Sequence, residues 1–290
     1  MLSKKLNRCS WLLFIVMAVI AACNNSKRSN HPSPQEYDLN NPEVMKLPDK
    51  LNEISGLAYY AKDSSIFSIV DEAGVLYKLS RGEEKMQVEH WKFSKSGDYE
   101  DVVLKDSIFY VMKSKGDIVA FSFQSPDSIV SEEYDIPLTG KNEFESLYYD
   151  DSLRKLVLVC KDCDADDKTR LSTWCFDPAT RSFAKGSFVI DPSTILAAQK
   201  VDEKKFKPSA AAIHPVTGDL YIISSINKVL VIADRNGKTK KVYTLDPVLY
   251  KQPEGITFAP SGDMFISNEA AGEGLPNLLY YKYKTVGNEK

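Results

Sequence analysis

The chain has 290 residues, of which 43% are hydrophobic and 27% are charged, a composition typical of a soluble globular domain with a full core. Its formal net charge is −3. Nucleic acid requires clustered cations on its partner, and so we expect no nucleic-acid binding from this acidic chain. A cation or a neutral molecule is a compatible ligand.

A leader segment opens the sequence. Three cations among the first eight residues precede an apolar run, Trp11–Ile20, which is short for a membrane span and typical of a cleaved signal sequence. The run leads into Ile-Ala-Ala-Cys, which resembles the lipobox of bacterial lipoproteins. We therefore expect residues 1–22 to be removed and Cys23 to be acylated; an uncleaved signal-anchor helix is the alternative. Cleavage removes three cations and no acid, and the net charge becomes −6.

The residues after the lipid anchor predict a flexible tether and a location in the cell. Residues 23–36 are polar and contain two prolines, a composition that does not bury enough apolar surface to fold. Acyl chains hold a protein on a membrane without a spanning helix. Asn24 is not an inner-membrane retention acid, which favours the periplasmic face of the outer membrane in the cell envelope. The folded domain is expected over residues 37–290.

An internal repeat predicts the architecture. Five segments align, and their third residues are separated by 45, 45, 64 and 45 positions. Each segment is followed by a second run of β-branched and aromatic residues, then by turn residues and a third strand. The segments begin at Glu53, Asp98, Glu143, Lys207 and Gln252. This period is typical of an all-β protein, a β-propeller with five four-stranded blades.

Closure of the ring is predicted from the two ends of the chain. The fifth unit ends one strand short, and residues 37–47 are expected to supply the missing outer strand, which removes two exposed sheet edges. A sixth blade within the 64-residue interval is the alternative. We favour an insertion, because the excess of 19 residues is less than half a blade. Within the insertion, Ser193–Lys205 predicts a short capped helix.

The repeat also predicts a site. Side chains two apart on a strand point the same way, so positions one and three of each inner strand are expected to form two rings around a funnel mouth, joined by the ends of the second strands. The candidate ligand-binding acids are Glu53, Asp71, Asp98, Glu100, Glu143, Glu145, Glu254 and Glu269.

Carboxylates are the ligands that Ca²⁺ prefers, and Glu100, Glu145 and Glu254 are the candidate metal ligands. In the structural alternative, the acids accept hydrogen bonds that fasten neighbouring blades. A small cationic or polyol ligand is the third interpretation.

The motifs carry a family resemblance. The order and spacing of the five segments, with Asp71-Glu72-Ala73-Gly74 after the first blade and Gln252-Pro253-Glu254-Gly255-Ile256 in the last, resemble the SdiA-regulated family of bacterial propellers over residues 40–285. The resemblance implies a membrane-associated or exported propeller and no established activity. More distantly, the chain is similar to phytase, lactonase and strictosidine-synthase-like propellers, whose chemistry depends on calcium. Lys207 and Ser209 of the fourth segment depart from their acidic pattern.

The cysteines and histidines do not indicate a zinc site or a catalytic triad. Cys160 and Cys163 have the spacing of a redox or zinc site, but zinc requires a second pair, and only Cys175 remains. An exported location permits a disulfide among the three cysteines. No Ser-His-Asp spacing is recognisable, and no catalytic residue is assigned.

Two functions remain. We favour a non-catalytic binding or scaffold lipoprotein that holds an unidentified small ligand or protein. The alternative is a metal-dependent hydrolase of a phosphoester or lactone that uses the funnel carboxylates.

Overall fold

The computed structural model describes residues 30–83, 85–126, 128–270, 272 and 274–285. Their strands form five antiparallel sheets of four strands each. The leader, Cys23 and the first part of the tether lie outside the described residues. Within the described part of the chain, no helix combines the length and apolarity needed to cross a membrane.

Each blade is a meander whose first strand is innermost. The first strand of the chain, β1 (Glu43–Lys46), belongs to the last blade. Blade 1 consists of β2 (Ile54–Tyr60), β3 (Ser65–Val70), β4 (Val75–Arg81) and β5 (Met86–Lys92). Blade 2 consists of β6 (Tyr99–Lys105), β7 (Ile108–Lys113), β8 (Ile118–Ser125) and β9 (Ser128–Tyr134).

The remaining blades follow the same order. Blade 3 consists of β10 (Phe144–Asp150), β11 (Lys155–Cys160), β12 (Leu171–Asp177) and β13 (Ser182–Ile190). Blade 4 consists of β14 (Ala210–Ile213), β15 (Leu220–Ser224), β16 (Val229–Ala233) and β17 (Thr239–Thr244). Blade 5 consists of β18 (Pro253–Phe258), β19 (Met264–Asn268), β20 (Asn277–Tyr281) and β1. A 3-10 turn (Asp49–Leu51) and helix α1 (Ser193–Ala198) complete the elements.

The five-bladed ring and its closure confirm the predictions. Strand β1 pairs antiparallel with β20, from Glu43 opposite Tyr280 to Lys46 opposite Asn277. The inner strands contact one another in ring order, and β18 contacts β2 to complete the circle. The long interval between the third and fourth segments contains a nine-residue strand, β13, and helix α1. It is therefore an insertion and not a sixth blade.

Helix α1 is shorter than predicted. It ends at Ala198 instead of Lys205, and the Pro192 side chain makes no capping hydrogen bond. The carboxylate of Asp191 accepts a hydrogen bond from the Ser193 backbone N–H instead, at 2.9 Å. The chain leaves the helix at Gln199, whose side-chain oxygen accepts a hydrogen bond of 2.6 Å from Asn227 at the turn of blade 4. This hydrogen bond holds Gln199 at blade 4, in an extended conformation that does not continue the helix.

The core lies between the blades. Between blades 1 and 2, the Phe67 and Phe109 rings meet edge to face with centroids 4.8 Å apart, and Phe109 stacks on Phe121 at 5.2 Å. Burial of such a side chain stabilises the fold by about 1.5–3 kcal/mol. Alternating apolar residues on both faces of each sheet therefore serve the packing of blade on blade.

The segment before β1 is fastened to the ring. Tyr37 and Leu39 are buried in the core between blades 4 and 5. The Tyr37 hydroxyl lies 2.6 Å from His214 Nε2 and donates a hydrogen bond to the Gly262 carbonyl. Within the predicted tether, His31 Nδ1 lies 3.1 Å from Thr244 Oγ1 of β17.

Candidate functional site

The inner strands carry a shared irregularity. In β6, β10 and β18 the pairing register with the next strand shifts at the third position of the repeat, so that Glu100, Glu145 and Glu254 are the extra residues of β-bulges. Strand β2 has the same shift between Ile54 and Leu57. A bulge bends its strand and re-aims a side chain. It also interrupts the simple alternation on which the predicted double ring depends.

The bulged residues face a cavity of about 540 Å³ at one mouth of the channel. We name this cavity the acidic funnel, and it is lined by Glu53, Ser55, Asp71, Glu100, Glu145, Lys161, Lys207, Ser209, Ser225, Ile226, Lys228, Gln252, Glu254 and Glu269. The ends of the second strands contribute as predicted in blades 1, 3, 4 and 5, because antiparallel hairpins return them to this face. Lys113, at the same position of blade 2, was also predicted there, but it is not part of the lining and its ammonium pairs with Glu133.

Six of the eight candidate acids line the funnel, and two do not. Glu143 lies at the rim, where its carboxylate is 3.1 Å from the Lys161 ammonium and 4.0 Å from that of Lys141. Asp98 is not part of the lining, although its charge raises the pKa of Glu100. The predicted rings are therefore incomplete. The ligand-binding role of the six remains a prediction.

Lys161 lies among the three predicted metal ligands. Its ammonium forms an ion pair with Glu145, and its charge opposes the rise in the pKa of Glu100 and of Glu254. In the described part of the chain, the groups with three ligand atoms within 4.8 Å of one another are Cys160 with Cys163 and Asp166, and Asp117 with Glu133 and Asp135. The predicted set of Glu100, Glu145 and Glu254 does not form such a group, and Ca²⁺ binding by these residues remains a prediction.

A disulfide holds the segment that carries Lys161. Cys160 and Cys163 are bonded to each other and buried, while Cys175 is buried on β12. Asp162, inside the disulfide loop, accepts hydrogen bonds from Lys141 at 2.6 Å and Lys205 at 2.9 Å, which lower its pKa to about 2. The loop is thus fixed by one covalent bond and two ion pairs.

One side of the funnel gathers acids. The charge of Asp71 raises the pKa of Glu53. Burial raises the pKa of Glu269, and the charges of Asp71 and Glu53 raise it further. Gln252 donates a hydrogen bond of 3.0 Å to the Glu269 carboxylate. No described lysine or arginine lies within 4.0 Å of these three carboxylates, and one oxygen of Asp71 is buried without a hydrogen-bond partner among the described residues.

Two deeper acids have strongly altered affinities for protons. Burial raises the pKa of Glu100 to about 8, and the neighbouring charge of Asp98 adds to the rise. Burial also raises the pKa of Glu254 to about 7, opposed by a hydrogen bond from Ser225. Their charge therefore changes near neutral pH.

The other side of the funnel holds Lys207 and Lys228 of blade 4. Lys228 adopts φ +52° in the turn before β16, and its ammonium donates a hydrogen bond of 3.2 Å to the Tyr250 carbonyl. Lys228 and Ile226 were not predicted from the sequence. Both lie in the turn after the second strand of blade 4, and the short Ser-Ile-Asn-Lys turn was the available signal.

The carboxylate that fastens blades was also missed. Asp101, the fourth residue of the second segment, is buried and accepts backbone hydrogen bonds from Val102 at 2.8 Å and from Leu147 of blade 3 at 2.7 Å. Gly56 of blade 1 approaches the same residue, and a Cβ on Gly56 would lie 2.2 Å from Asp101 Oδ1. The structural role that the sequence analysis considered for the funnel acids is therefore performed here by a residue outside the funnel.

Five blades around an acid-lined channel define the molecule as a five-bladed β-propeller. The family described as SdiA-regulated matches residues 33–283, and the chain belongs to this family. A search of curated proteins gives no match.

Two solved structures illustrate the likeness in fold. The glutaminyl cyclase of Myxococcus xanthus superposes with a TM-score of 0.55 at 16% identity, over 84% of this chain and 95% of that chain. A luciferin-regenerating enzyme superposes with a TM-score of 0.50 at 11% identity, over 85% of this chain and 96% of that chain. At these identities the likeness shows the fold alone.

Proposed function

We propose that the protein is a lipid-anchored binding protein that takes a small cationic ligand in its acidic funnel. The observation that carries the proposal is the group of Glu53, Asp71 and Glu269, three acids on one side of an open cavity with no described cation beside them. The charge of Asp71 makes the ionised form of Glu53 costly, burial does the same for Glu269, and a bound cation offsets that cost. A divalent metal and an ammonium group both have this chemistry.

The anchor and the address rest on the sequence. The lipobox at Cys23 supports attachment by acyl chains, and Asn24 supports the periplasmic face of the outer membrane within the cell envelope. Six residues, 24–29, lie between Cys23 and the first described residue, and the seven Cα–Cα steps that join the two span at most about 25 Å. The proposal therefore places the propeller close to the membrane surface.

Binding is favoured over hydrolysis by the position of Lys161. The hydrolase alternative requires a metal held by Glu100, Glu145 and Glu254, and the ammonium of Lys161 already pairs with Glu145 within blade 3. A cation at the opposite side, by Glu53 and Glu269, meets no such competitor. The proposal assigns no catalytic residue.

Thermal unfolding of the full chain in detergent tests the proposal, with pentylamine and Ca²⁺ as separate probes. A ligand at ten times its Kd stabilises the native state by about 1.4 kcal/mol, and for a domain of this size that raises the unfolding temperature by roughly 3–5 °C. We expect this rise with at least one probe, and we expect Glu269→Gln to abolish it.

The matched control is Glu89→Gln, which removes the same charge from an exposed position on β5 of blade 1. It should leave the rise unchanged. Without ligand, Glu269→Gln should unfold no earlier than the natural protein, because the substitution relieves repulsion. An absence of any rise with both probes, or a rise that survives in Glu269→Gln, would contradict the proposal.

A further inference from the structure

The charges of the funnel are unequally distributed around the ring. Blades 5, 1 and 2 contribute only acids and neutral groups to the lining, namely Gln252, Glu254, Glu269, Glu53, Ser55, Asp71 and Glu100. Blades 3 and 4 contribute every lysine of the lining, namely Lys161, Lys207 and Lys228, beside a single acid. The cavity is therefore negative on one side and positive on the other.

The three lysines differ in what they contact. Lys161 is neutralised by Glu145 and Glu143. Lys228 is held by the carbonyls of Tyr250 and Lys251, and burial lowers its pKa.

The ammonium of Lys207 forms no hydrogen bond or ion pair with any residue whose position the structure describes. Its backbone N–H is fixed by a hydrogen bond of 2.9 Å to the Asn227 side chain. The Asn227 contact thus places on the funnel wall an ammonium that has no described carboxylate within 4.0 Å, although its charge contributes to the lowered pKa of Glu203.

A simple cation satisfies only half of this cavity. A ligand whose positive group lies against Glu53, Asp71 and Glu269 can extend its other end to Lys207 of blade 4, which is next to blade 5 in the ring and lines the same cavity. A neutral or positive end would leave that ammonium unpaired or repelled in a partly enclosed site, whereas a carboxylate would form a charge-assisted hydrogen bond with it. A volume of about 540 Å³ is ample for a small molecule with two separated charges.

We propose that the ligand of the acidic funnel is a zwitterion, with an ammonium group at Glu53, Asp71 and Glu269 and a carboxylate at Lys207. This inference rests on the proposed function, because it assigns the positive end to the same acids. It adds that Lys207 determines specificity: it distinguishes an amino acid or ω-amino acid from an amine of equal length.

Calorimetric titration of the full chain in detergent with matched probes tests the inference. The probes are ω-amino acids of four to seven carbons, the amines of equal chain length without the carboxylate, and the fatty acids without the ammonium. The best zwitterion of the series should bind about tenfold or more tightly than its amine, the value of one charge-assisted hydrogen bond in a partly buried site. The fatty acids should bind more weakly than either.

Substitutions at Lys207 separate charge from structure. Lys207→Met should abolish the preference for the zwitterion over the amine, by weakening the binding of the zwitterion and without weakening that of the amine. Lys207→Arg keeps the charge and should preserve most of the preference. Lys251→Met, the control, removes a charge from an exposed residue outside the lining and should have no effect.

The outcomes distinguish the two proposals. If amines bind as tightly as zwitterions, or if Lys207→Met keeps the preference, the zwitterion inference is wrong while the cation proposal stands. If none of the amines or zwitterions binds, and Ca²⁺ also fails to bind, both are wrong. If Ca²⁺ binds and neither organic series does, the zwitterion inference is again wrong.

Discussion

At the scale of single residues, the carboxylates of this propeller lie in two different environments. Asp101 uses both oxygens to accept backbone N–H groups and thereby joins blades 2 and 3, deep in the protein. No backbone N–H group among the described residues donates to the carboxylates of Glu53, Asp71 and Glu269. Their side-chain contacts are the hydrogen bond from Gln252 to Glu269 and the contact between Asp71 and Glu53. A carboxylate with satisfied oxygens stabilises a fold, while one that faces a cavity beside other acids is available to a ligand.

The fastening role predicts a stability loss. Asn at position 101 offers one acceptor where two N–H donors converge, and it turns an N–H₂ group toward one of them. We expect Asp101→Asn to lower the free energy of unfolding by about 1–3 kcal/mol, the cost of leaving a buried donor unsatisfied. Urea denaturation measures the loss. Asp106→Asn, an exposed change in the same hairpin, should cost little, and equal losses in the two variants would contradict the role.

At the scale of elements, the strand ends and the bulges build the site. The second-strand ends were predictable, because a hairpin returns the chain to the face where it began. Asp71, Lys161, Ser225 and Glu269 follow their strands and line the funnel accordingly. The bulges were not predictable from one sequence, because an extra residue changes the register without changing the pattern of residue types. Asp98 and Glu143 were therefore expected in the lining and are not part of it.

The segment before β1 contacts a buried histidine, and we expect its attachment to depend on pH. His214 is fully buried, and its Nδ1 accepts hydrogen bonds from the backbone N–H groups of Val216 at 3.2 Å and Thr217 at 3.1 Å. Its Nε2 lies against the Tyr37 hydroxyl. Burial lowers the pKa of His214 to about 4 from the ordinary value of 6.5. The neutral ring is the form that these contacts require.

The direction of the pH effect follows from this lowered pKa. The stabilisation is complete above pH 6.5 and is lost as the pH falls from 6.5 toward 4, because the unfolded chain takes up the proton first. At about 1.4 kcal/mol per pKa unit, the loss is on the order of 3 kcal/mol.

His214→Asn keeps an acceptor for the two N–H groups and does not titrate. Urea denaturation at pH 7 and pH 4 should show a smaller loss in this variant than in the natural protein. Equal losses would contradict the account.

At the scale of the whole molecule, the repeat determines the fold, and the proposed function depends on how charge is distributed in the funnel. The spacing of the five segments was sufficient to predict five blades, and the short fifth unit was sufficient to predict closure by β1. Repeats are predictable because each blade must pack on two neighbours that resemble itself. The division of the funnel into an acidic and a basic side depends on how five different blades face one another, and no single segment of the sequence contains it.

The net charge of the whole molecule also affects how strongly a cation is attracted to the funnel. The chain without its leader carries a net charge of −6, and the funnel mouth concentrates acids. A cation is attracted to such a mouth through water, and salt screens the attraction over about 8–10 Å at physiological ionic strength. The net charge of the molecule and the three acids at which we propose that the cation binds therefore act in the same direction.

The measurement that tests the central claim most directly is the affinity of the full chain for pentylamine between pH 5 and pH 8. Pentylamine stays charged over this range, whereas the raised pKa values of Glu53, Glu269 and Glu254 mean that the funnel gains negative charge as the pH rises. The account predicts that the affinity increases with pH, by about tenfold or more over the range. An affinity that does not change with pH, or that falls as the pH rises, would contradict it.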